Sequence, residues 1–246
     1  MPRALDHLVI AHRDLAAAAE RYRGLGFQVG PRNRHPWGTE NHIVQFDGLF
    51  LELIGLGEGF APPAPDDPVF PFAGFLGDFL ARREGLAMIA LRSTDAEADR
   101  QAFAAQNLGD LPRFDFARKG VRQGREVEVA FSLAFARSPA LPAMGFFVCQ
   151  QKFPQNFWDA AAQVHPNGAT GVAELAFAHP EPEAARGFLT AFLDAPAEPT
   201  QDGLRFALPG SRVTCLTPAA YAAEWGAEPT AIKIATATGA RALTGV

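Results

Sequence analysis

Short apolar runs alternate with amphipathic segments along the first quarter of the chain. The apolar runs have the length of buried β-strands and are expected at residues 5–12, 27–30, 41–46 and 50–56. An alanine-rich segment at 15–23 is typical of a helix that is capped by Asp14 and ended by the glycines at 24–26. An Asp-Gly pair at 47–48 is typical of a hairpin turn. The pattern predicts one strand, a helix and three more strands.

The same order of elements recurs twice. In the second copy, strands are expected at 85–91, 113–118, 127–137 and 144–150, with a helix that is capped by Thr94 or Asp95 and ends at residue 106. In the third copy, the expected elements are a strand at 171–177, a helix at 181–193, and strands at 204–208, 212–216 and 231–235. Further helices are expected at 72–83 and 155–164. Three βαβββ units in one chain indicate a fold assembled from copies of one module.

The copies keep the same spacing between the first strand and the helix. The residue seven positions before the expected helix cap is His7 in the first copy, Met88 in the second and Glu174 in the third. His7 and Glu174 are polar residues inside apolar runs, and Glu52 is another such residue in the run 49–54. A carboxylate in such surroundings needs a partner. A metal ion would compensate His7 and Glu52 together, because imidazole and carboxylate are common metal ligands.

Composition narrows the class of protein. With 246 residues, 48% of them apolar, and a net charge of −5, the chain is typical of a globular protein and gives no indication of nucleic-acid binding. The 21 phenylalanines favour a deep core or an apolar cavity. The chain start has no signal-peptide pattern and no run has membrane-spanning length, so a cytoplasmic location without membrane contact is expected. Cys149 and Cys215 are expected to be buried free thiols.

The first strand and three later segments resemble a known group of proteins. The sequence LDHLVIA at 5–11, followed by the alanine-rich helix that ends in Gly-Phe, resembles the opening of vicinal oxygen chelate proteins. That superfamily includes glyoxalase I, the extradiol dioxygenases and the bleomycin-resistance proteins. The segments RHPWGTEN at 34–41, FLELI at 50–54 and HPNGATG at 165–171 resemble its glyoxalase-like subgroup of bacterial proteins.

The resemblance implies an α+β fold of repeated βαβββ modules whose curled mixed sheets surround a cavity. Residues 1–152 are then a domain of paired modules, 4–57 and 85–151. Residues 153–246 are expected to form a third module-like segment that packs on the same fold.

The resemblance also implies positions for metal ligands. In the superfamily, the first and last strands of each module point ligands into the cavity, which assigns His7 and Glu52 as ligands in the first module. The second module departs from this pattern, because its first strand offers only Ala87 or Met88 and the subgroup often has a histidine where this chain has Gln151. The candidates for a third ligand therefore stay open: Gln150, Gln151, Glu174 and His165.

Catalytic and binding roles follow from the same positions. Glu52 or Glu174 is the candidate base that moves a proton. Candidates for the substrate-binding wall are His35, Trp37, Asn41, His165 and Gln151.

Each candidate has a purely structural alternative. His7 could be a core histidine, Glu52 could form a salt bridge with an arginine such as Arg34 or Arg92, and Glu174 could belong to a structural ion pair. Residues 35–42 could form a structured turn, and His165 could cap the turn that follows it. The basic run 118–125 is interpreted as a solvated turn, with a contact to an anionic ligand group as the alternative.

The expected function is that of a metal-dependent lyase or isomerase, or a dioxygenase, that acts on a small oxygen-bearing substrate with Zn, Ni, Mn or Fe. The weak ligand set of the second module and the phenylalanine excess favour an alternative, a non-catalytic small-molecule binding protein of the bleomycin-resistance type. The resemblance also allows a homodimer, although the third module could complete a barrel within one chain.

Overall fold

The first module has the expected order of elements in the computed structural model, which describes residues 1–122, 125–226 and 230–243. Its elements are β1 (Leu5–Ala11), α1 (Leu15–Gly24), β2 (Asn33–Arg34), β3 (Thr39–Phe46) and β4 (Leu49–Leu56). The Asp14 side chain accepts a hydrogen bond from the Ala17 amide and so begins α1, as the sequence predicts. The strand expected at 27–30 is not formed, and the short β2 takes its place in the sheet.

The second module repeats this order after a connecting helix. Its elements are α2 (Phe70–Arg82), β5 (Gly85–Arg92), α3 (Ala96–Ala105), β6 (Phe114–Arg122), β7 (Arg125–Ala136) and β8 (Gly145–Gln151). Asp95 caps α3 by accepting from the amides of Glu97 and Ala98.

The helix expected at 155–164 is divided into two short pieces. These are α4 (Pro154–Phe157) and a 3₁₀ turn (Ala160–Gln163). Trp158 is extended, with ψ of 128°, and the Asp159 side chain caps the 3₁₀ turn by accepting from the Ala161 amide. The break brings Phe157 and Trp158 against Phe50 of β4.

All five elements expected in the third copy are formed, but the last of them belongs to a partial fourth unit that follows the third module. The elements are β9 (Ala169–Ala178), α5 (Pro182–Leu193), β10 (Glu198–Thr200), β11 (Gly203–Leu208), β12 (Ser211–Leu216), α6 (Pro218–Trp225), β13 (Thr230–Thr236) and β14 (Gly239–Leu243). The strand expected at 231–235 is therefore not the last strand of the third module. It is β13, which pairs antiparallel with β9 just as β5 pairs antiparallel with β1.

The strands form two mixed sheets. The first has the order β2-β3-β4-β1-β5-β8-β7-β6, and the second has the order β10-β11-β12-β9-β13-β14. In each module the first strand runs parallel to the last, and the remaining pairs are antiparallel. The architecture is thus the α+β fold of curled sheets built from βαβββ modules that the sequence predicts.

Side chains bring the two edge strands of the first sheet together. Arg118 of β6 donates through Nη1 to Asn33 Oδ1 of β2 at 3.3 Å. The Trp37 ring lies edge-on to Phe114 and Phe116 of β6, with centroid distances of 5.1 and 4.9 Å. The curled sheet is therefore closed into a barrel by side chains along this line, which we call the seam.

A single hydrophobic core spans both sheets. Its residues include Leu8 and Leu51 from the first sheet together with Leu175 from the second. Phe192 of α5 is fully buried, and its ring lies 5.9 Å from Phe103 and 5.3 Å from Phe146.

Cys149 and Cys215 are buried free thiols, as expected. No helix in the described part of the chain has the length and apolar character needed to cross a membrane.

Candidate active site

A small cavity lies inside the barrel of the first sheet. Its volume is about 40 Å³, which is room for roughly three water molecules. Aromatic rings form most of the wall: Phe50, Phe72, Phe116, Phe131, Phe147 and Phe157. The polar groups that face the cavity are His7, His35, Asn41, Glu52 and Arg118. The rest of the lining consists of Trp37, Ile43, Leu133 and Cys149. The apolar wall lowers the local dielectric, so the charges of these polar groups interact strongly.

His7 is held firmly at the cavity wall. Its Nδ1 lies 2.6 Å from Asp6 Oδ1, and its ring stacks on Phe50 with a centroid distance of 4.3 Å. Because a carboxylate only accepts, the Nδ1–H donates to Asp6, and in the neutral ring Nε2 keeps its lone pair. That Nε2 lies 3.8 Å from Glu52 Oε2. A carboxylate behind an imidazole is the usual support for a histidine that serves as a metal ligand or a base.

Asp6 is the centre of a support network behind His7. It also accepts from Gln151 Nε2 at 3.0 Å and lies next to Cys149. Potential ligand atoms of Asp6, His7 and Cys149 lie within 4.8 Å of one another. Burial raises the pKa of the Cys149 thiol, and the carboxylates of Asp6 and Glu52 raise it further. Asp6 is bonded to His7 and orients its ring. Since the Cys149 thiol is protonated, neither Asp6 nor Cys149 offers a free metal-ligand atom to the cavity.

Glu52 is a buried carboxyl group with few charged partners. Asn41 Nδ2 donates to its Oε1 at 2.5 Å. Burial raises the pKa of Glu52, an effect that His7, the Asn41 hydrogen bond and Arg118 only partly offset. Neither arginine suggested as a partner by the sequence pairs with Glu52, because Arg34 contacts Glu40 and Arg92 contacts the Gly48 carbonyl.

His35 faces the same carboxyl group from the other side. Its Nδ1 lies 2.8 Å from Thr39 Oγ1, and its Nε2 lies 3.8 Å from Glu52 Oε1. Trp37 stacks on the ring at a centroid distance of 4.6 Å. Burial lowers the pKa of His35 to about 3, with further lowering by the charges of Arg118 and His7. The imidazole is therefore neutral near pH 7, the state in which it can coordinate a metal.

The second module does not repeat the pair formed by His7 and Glu52. Glu52 lies opposite Val9 in the β1–β4 pair, and Phe147 lies opposite Ala90 in the β5–β8 pair. Since Met88 holds the position of His7, Phe147 holds the position of Glu52. A Cβ at Gly145 would lie 2.6 Å from Met88 Cγ, so the Met88 side chain fills the space above Gly145.

A divalent ion can therefore be considered only with donors from the first module. The ligand positions that the superfamily fills in both modules do not fit, because Met88 and Phe147 cannot serve such an ion. The donors that face one another across the cavity are His7 Nε2, the carboxylate of Glu52 and His35 Nε2, which in the structure accepts a hydrogen bond from Asn41 Nδ2 at 3.4 Å. Two imidazoles and one carboxylate are a known ligand set for divalent transition metals.

The structure does not bring Glu174 to the cavity. It lies on β9 of the second sheet, where it accepts from Thr214 Oγ1 at 2.6 Å and from Lys233 Nζ at 3.2 Å. Arg212 adds a longer contact of 3.8 Å. The structural alternative for this residue, an ion pair, is the arrangement that the structure has.

His165 and Gln151 also lie outside the cavity lining. His165 accepts from the Gln28 amide at 3.0 Å and donates through Nε2 to the Gln45 carbonyl at 2.7 Å. Gln151 reaches only the back of His7, through Asp6. Of the five predicted wall residues, the structure thus brings His35, Trp37 and Asn41 to the cavity.

Replacement of His165 by alanine is expected to destabilise the protein by about 2 kcal/mol, since it removes the hydrogen-bond partner of the Gln28 amide and of the Gln45 carbonyl. Burial lowers the pKa of His165, so its stabilising contribution is present above a pH of about 6.5 and is lost as the pH falls. Urea denaturation at pH 7.5 and pH 5.5 measures both effects. His179→Ala, at a more exposed site, is the control and should change stability less. Equal losses for both variants would contradict this role of His165.

Arg118 was not among the candidate site residues. The basic run 118–125 was expected to be a solvated turn, yet Arg118 lies on β6 and faces the cavity. Residues 123–124 of that run lie outside the described residues. The alternation of β6 gives a partial signal, because Phe114, Phe116 and Arg118 share one face of the strand.

Comparison with known proteins supports the fold and the family resemblance. Residues 5–193 match the family model described as a glyoxalase-like domain. No curated protein matches the chain by sequence. A hypothetical protein from Staphylococcus aureus has a similar structure, with a TM-score of 0.65 and 12% identity over 87% of this chain and 86% of that protein.

Two solved epimerase structures match a smaller part of the chain. Methylmalonyl-CoA epimerase from Mycobacterium tuberculosis has a TM-score of 0.42 and 18% identity, covering 63% of this chain and 92% of the epimerase. The Streptomyces coelicolor methylmalonyl-CoA epimerase in complex with 2-nitronate-propionyl-CoA has a TM-score of 0.41 and 22% identity, covering 62% of this chain and 99% of that one.

Proposed function

The chain belongs to the glyoxalase-like domain family, and from this premise we propose that the protein is a metal-dependent enzyme of the lyase or isomerase class. Its substrate is a small oxygen-bearing molecule bound in the barrel cavity. The observation that carries the proposal is the position of two imidazoles, His7 and His35, whose Nε2 atoms each lie 3.8 Å from the Glu52 carboxylate. Both rings are fixed through Nδ1, by Asp6 and Thr39 respectively.

His7, His35 and Glu52 would hold a divalent ion from one side, which leaves the cavity side open to substrate oxygens. A bound divalent ion supplies Lewis-acid stabilisation of negative charge that develops on those oxygens. This donor set does not select among Zn, Ni, Mn and Fe, so metal analysis identifies the ion.

Glu52 is the residue that moves a proton in this proposal. Asn41 fixes its Oε1 by a hydrogen bond, so Oε2 is the atom that exchanges the proton with the substrate. Burial raises the pKa of the carboxyl toward the working pH, which favours both uptake and release of a proton. Since Glu174 pairs with Lys233 in the second sheet, the role that was assigned to either carboxylate falls to Glu52.

Metal analysis tests the proposal directly. Protein purified without chelators, and chelator-treated protein titrated with Mn, Fe(II), Ni or Zn, should bind one equivalent of metal. His35→Gln should lower that affinity at least about tenfold, because it removes an imidazole donor. The control is His42→Gln, since His42 lies on β3 but donates to the Gly30 carbonyl and does not line the cavity. Failure of the wild-type protein to bind any of these ions in stoichiometric amount would contradict the proposal.

A second candidate function is ligand binding without chemistry. The observation that favours it is the apolar pair Met88 and Phe147 at the second-module positions, together with the phenylalanine wall. This function requires that His7→Ala leaves ligand affinity nearly unchanged. The metal-dependent proposal requires that the same change lowers metal binding.

A further inference from the structure

Arg118 carries an unpaired charge at the seam of the barrel. Its Nη1 donates to the amide oxygen of Asn33, a neutral partner. Its Nε is buried and has no acceptor. Within the described parts of the chain, no carboxylate lies within ion-pair distance of its guanidinium, and Nη2 makes no hydrogen bond. Among the described residues, the edge formed by Nε and Nη2 therefore has no hydrogen-bond acceptor.

That edge has the geometry of an oxyanion receptor. Two parallel N–H groups of a guanidinium match the two oxygens of a carboxylate or a phosphate. A buried N–H without an acceptor is costly, and an incoming anion would satisfy both the hydrogen bond and the charge. Burial also lowers the pKa of Arg118, which reflects the loss of water around the guanidinium.

A wide groove leads from solvent to the same residue. The groove has a volume of about 600 Å³, and Arg118 and Phe157 line both this groove and the inner cavity. Among the described residues of its wall, Arg32, Arg34, Arg118 and Lys119 carry positive charge and Glu126 and Asp159 carry negative charge. An excess of positive charge along an approach path attracts anions.

We propose that Arg118 binds an oxyanion of the substrate, a carboxylate or a phosphate, at the seam, while the oxygen-bearing part of the same molecule lies in the cavity beside His7 and Glu52. The substrate class is then that of small anionic molecules that carry a further oxygen function. For the part of the substrate in the cavity, this inference rests on the proposed function. For the oxyanion of the substrate, it rests on Arg118 alone.

Binding to chelator-treated protein tests the inference without the metal. The probes are butyrate, its neutral analogue butyramide, and ethyl phosphate, measured by calorimetry or ligand-observed NMR. Wild-type protein should bind butyrate or ethyl phosphate at least about tenfold more tightly than butyramide, because hydrogen bonds to a charged group contribute that factor or more. The tighter of the two anions identifies the oxyanion as carboxylate or phosphate.

Arg118→Gln should remove this preference and leave butyramide binding unchanged. Arg34→Gln is the matched control, since Arg34 lines the same groove but is exposed and contacts Glu40. Asn33→Asp provides a second variant that leaves Arg118 in place. Its carboxylate would lie next to Nη1 and should weaken anion binding at least about tenfold by competing for the charge.

Equal binding of butyrate, ethyl phosphate and butyramide by the wild-type protein would overturn the inference, as would an unchanged preference in both Arg118→Gln and Asn33→Asp. Neither result would count against metal binding by His7, His35 and Glu52. Conversely, loss of the metal site with an intact anion preference would overturn the proposed function and leave the role of Arg118 standing.

Discussion

Replacement of Glu52 by glutamine is expected to abolish metal binding and, at the same time, to raise the stability of the metal-free protein. Metal affinity should fall at least about 100-fold, because the change removes a direct ligand and not an outer partner. The metal-free protein should gain about 1 kcal/mol or more at pH 7, because a neutral amide of the same shape avoids the cost of a buried charge.

The sign of the stability effect follows from the pKa. Burial raises the pKa of Glu52, so the folded state disfavours the ionised carboxylate that is present at pH 7 in the unfolded chain. In a chain of this length, each kcal/mol corresponds to a shift of about 2–4 °C in the melting temperature. Calorimetry of chelator-treated protein measures this shift, and titration with metal measures the affinity.

Glu174→Gln is the matched control for Glu52→Gln. Glu174 is equally buried, but it pairs with Lys233 and accepts from Thr214. Its replacement should lower the melting temperature and leave metal binding unchanged, since it breaks an ion pair far from the cavity. A destabilised Glu52→Gln variant that still binds metal would contradict both the ligand role and the cost assigned to the buried charge.

Replacement of Phe192 by alanine is expected to reduce the free energy of unfolding by about 3–5 kcal/mol. The ring is fully buried between Phe103 and Phe146, at the place where the third module packs on the second. Because one core spans both sheets, the two sheets should unfold together in the wild-type protein. Urea denaturation followed by circular dichroism and by tryptophan fluorescence should give coincident transitions.

Phe188 provides the comparison for Phe192. It lies on the same helix and contacts the same Phe146 ring, but it is only half-buried. Phe188→Ala should cost clearly less than Phe192→Ala, because less area leaves water on folding at that site. Two separated unfolding transitions in the wild-type protein would show that the sheets are independent units and would contradict the shared core.

The sequence predicts the first-module pair well because the signal is local. His7 and Glu52 stand out as polar residues in apolar strands, and the cost of burying them points to a shared partner. The strand alternation then puts His7 with Val9, and Glu52 with Phe50, on one face of the sheet. The helix caps Asp14 and Asp95 are local in the same way, and both are formed.

Glu174 shows where the same signal is ambiguous. It has the local pattern of Glu52, but its compensation comes from Lys233, the residue opposite it on a neighbouring strand. The two positions are 59 residues apart in the chain, and no local pattern joins them. A carboxylate in an apolar strand indicates that some partner compensates its charge. Whether that partner is a cation of the protein or an external group depends on the strand register, which the local sequence does not show.

Arg118 illustrates a second limit. The seam joins β2 and β6, whose contact between Arg118 and Asn33 spans 85 residues. Closure of the sheet depends on its twist and on side chains such as Trp37 and Phe116. The sequence places Arg118 in a basic run. The direction in which its side chain points depends on closure of the sheet, which joins residues far apart in the chain, so no local pattern predicts it.

The one position that precedes each helix cap by the same interval has three different occupants, His7, Met88 and Glu174. One faces the cavity, one fills space above a glycine, and one forms an ion pair. All three lie on the first strand of a module, so this strand forms with an aromatic polar, an apolar or a charged side chain at that position. Protein design can therefore introduce a new binding group at Met88 or Glu174 and keep the fold.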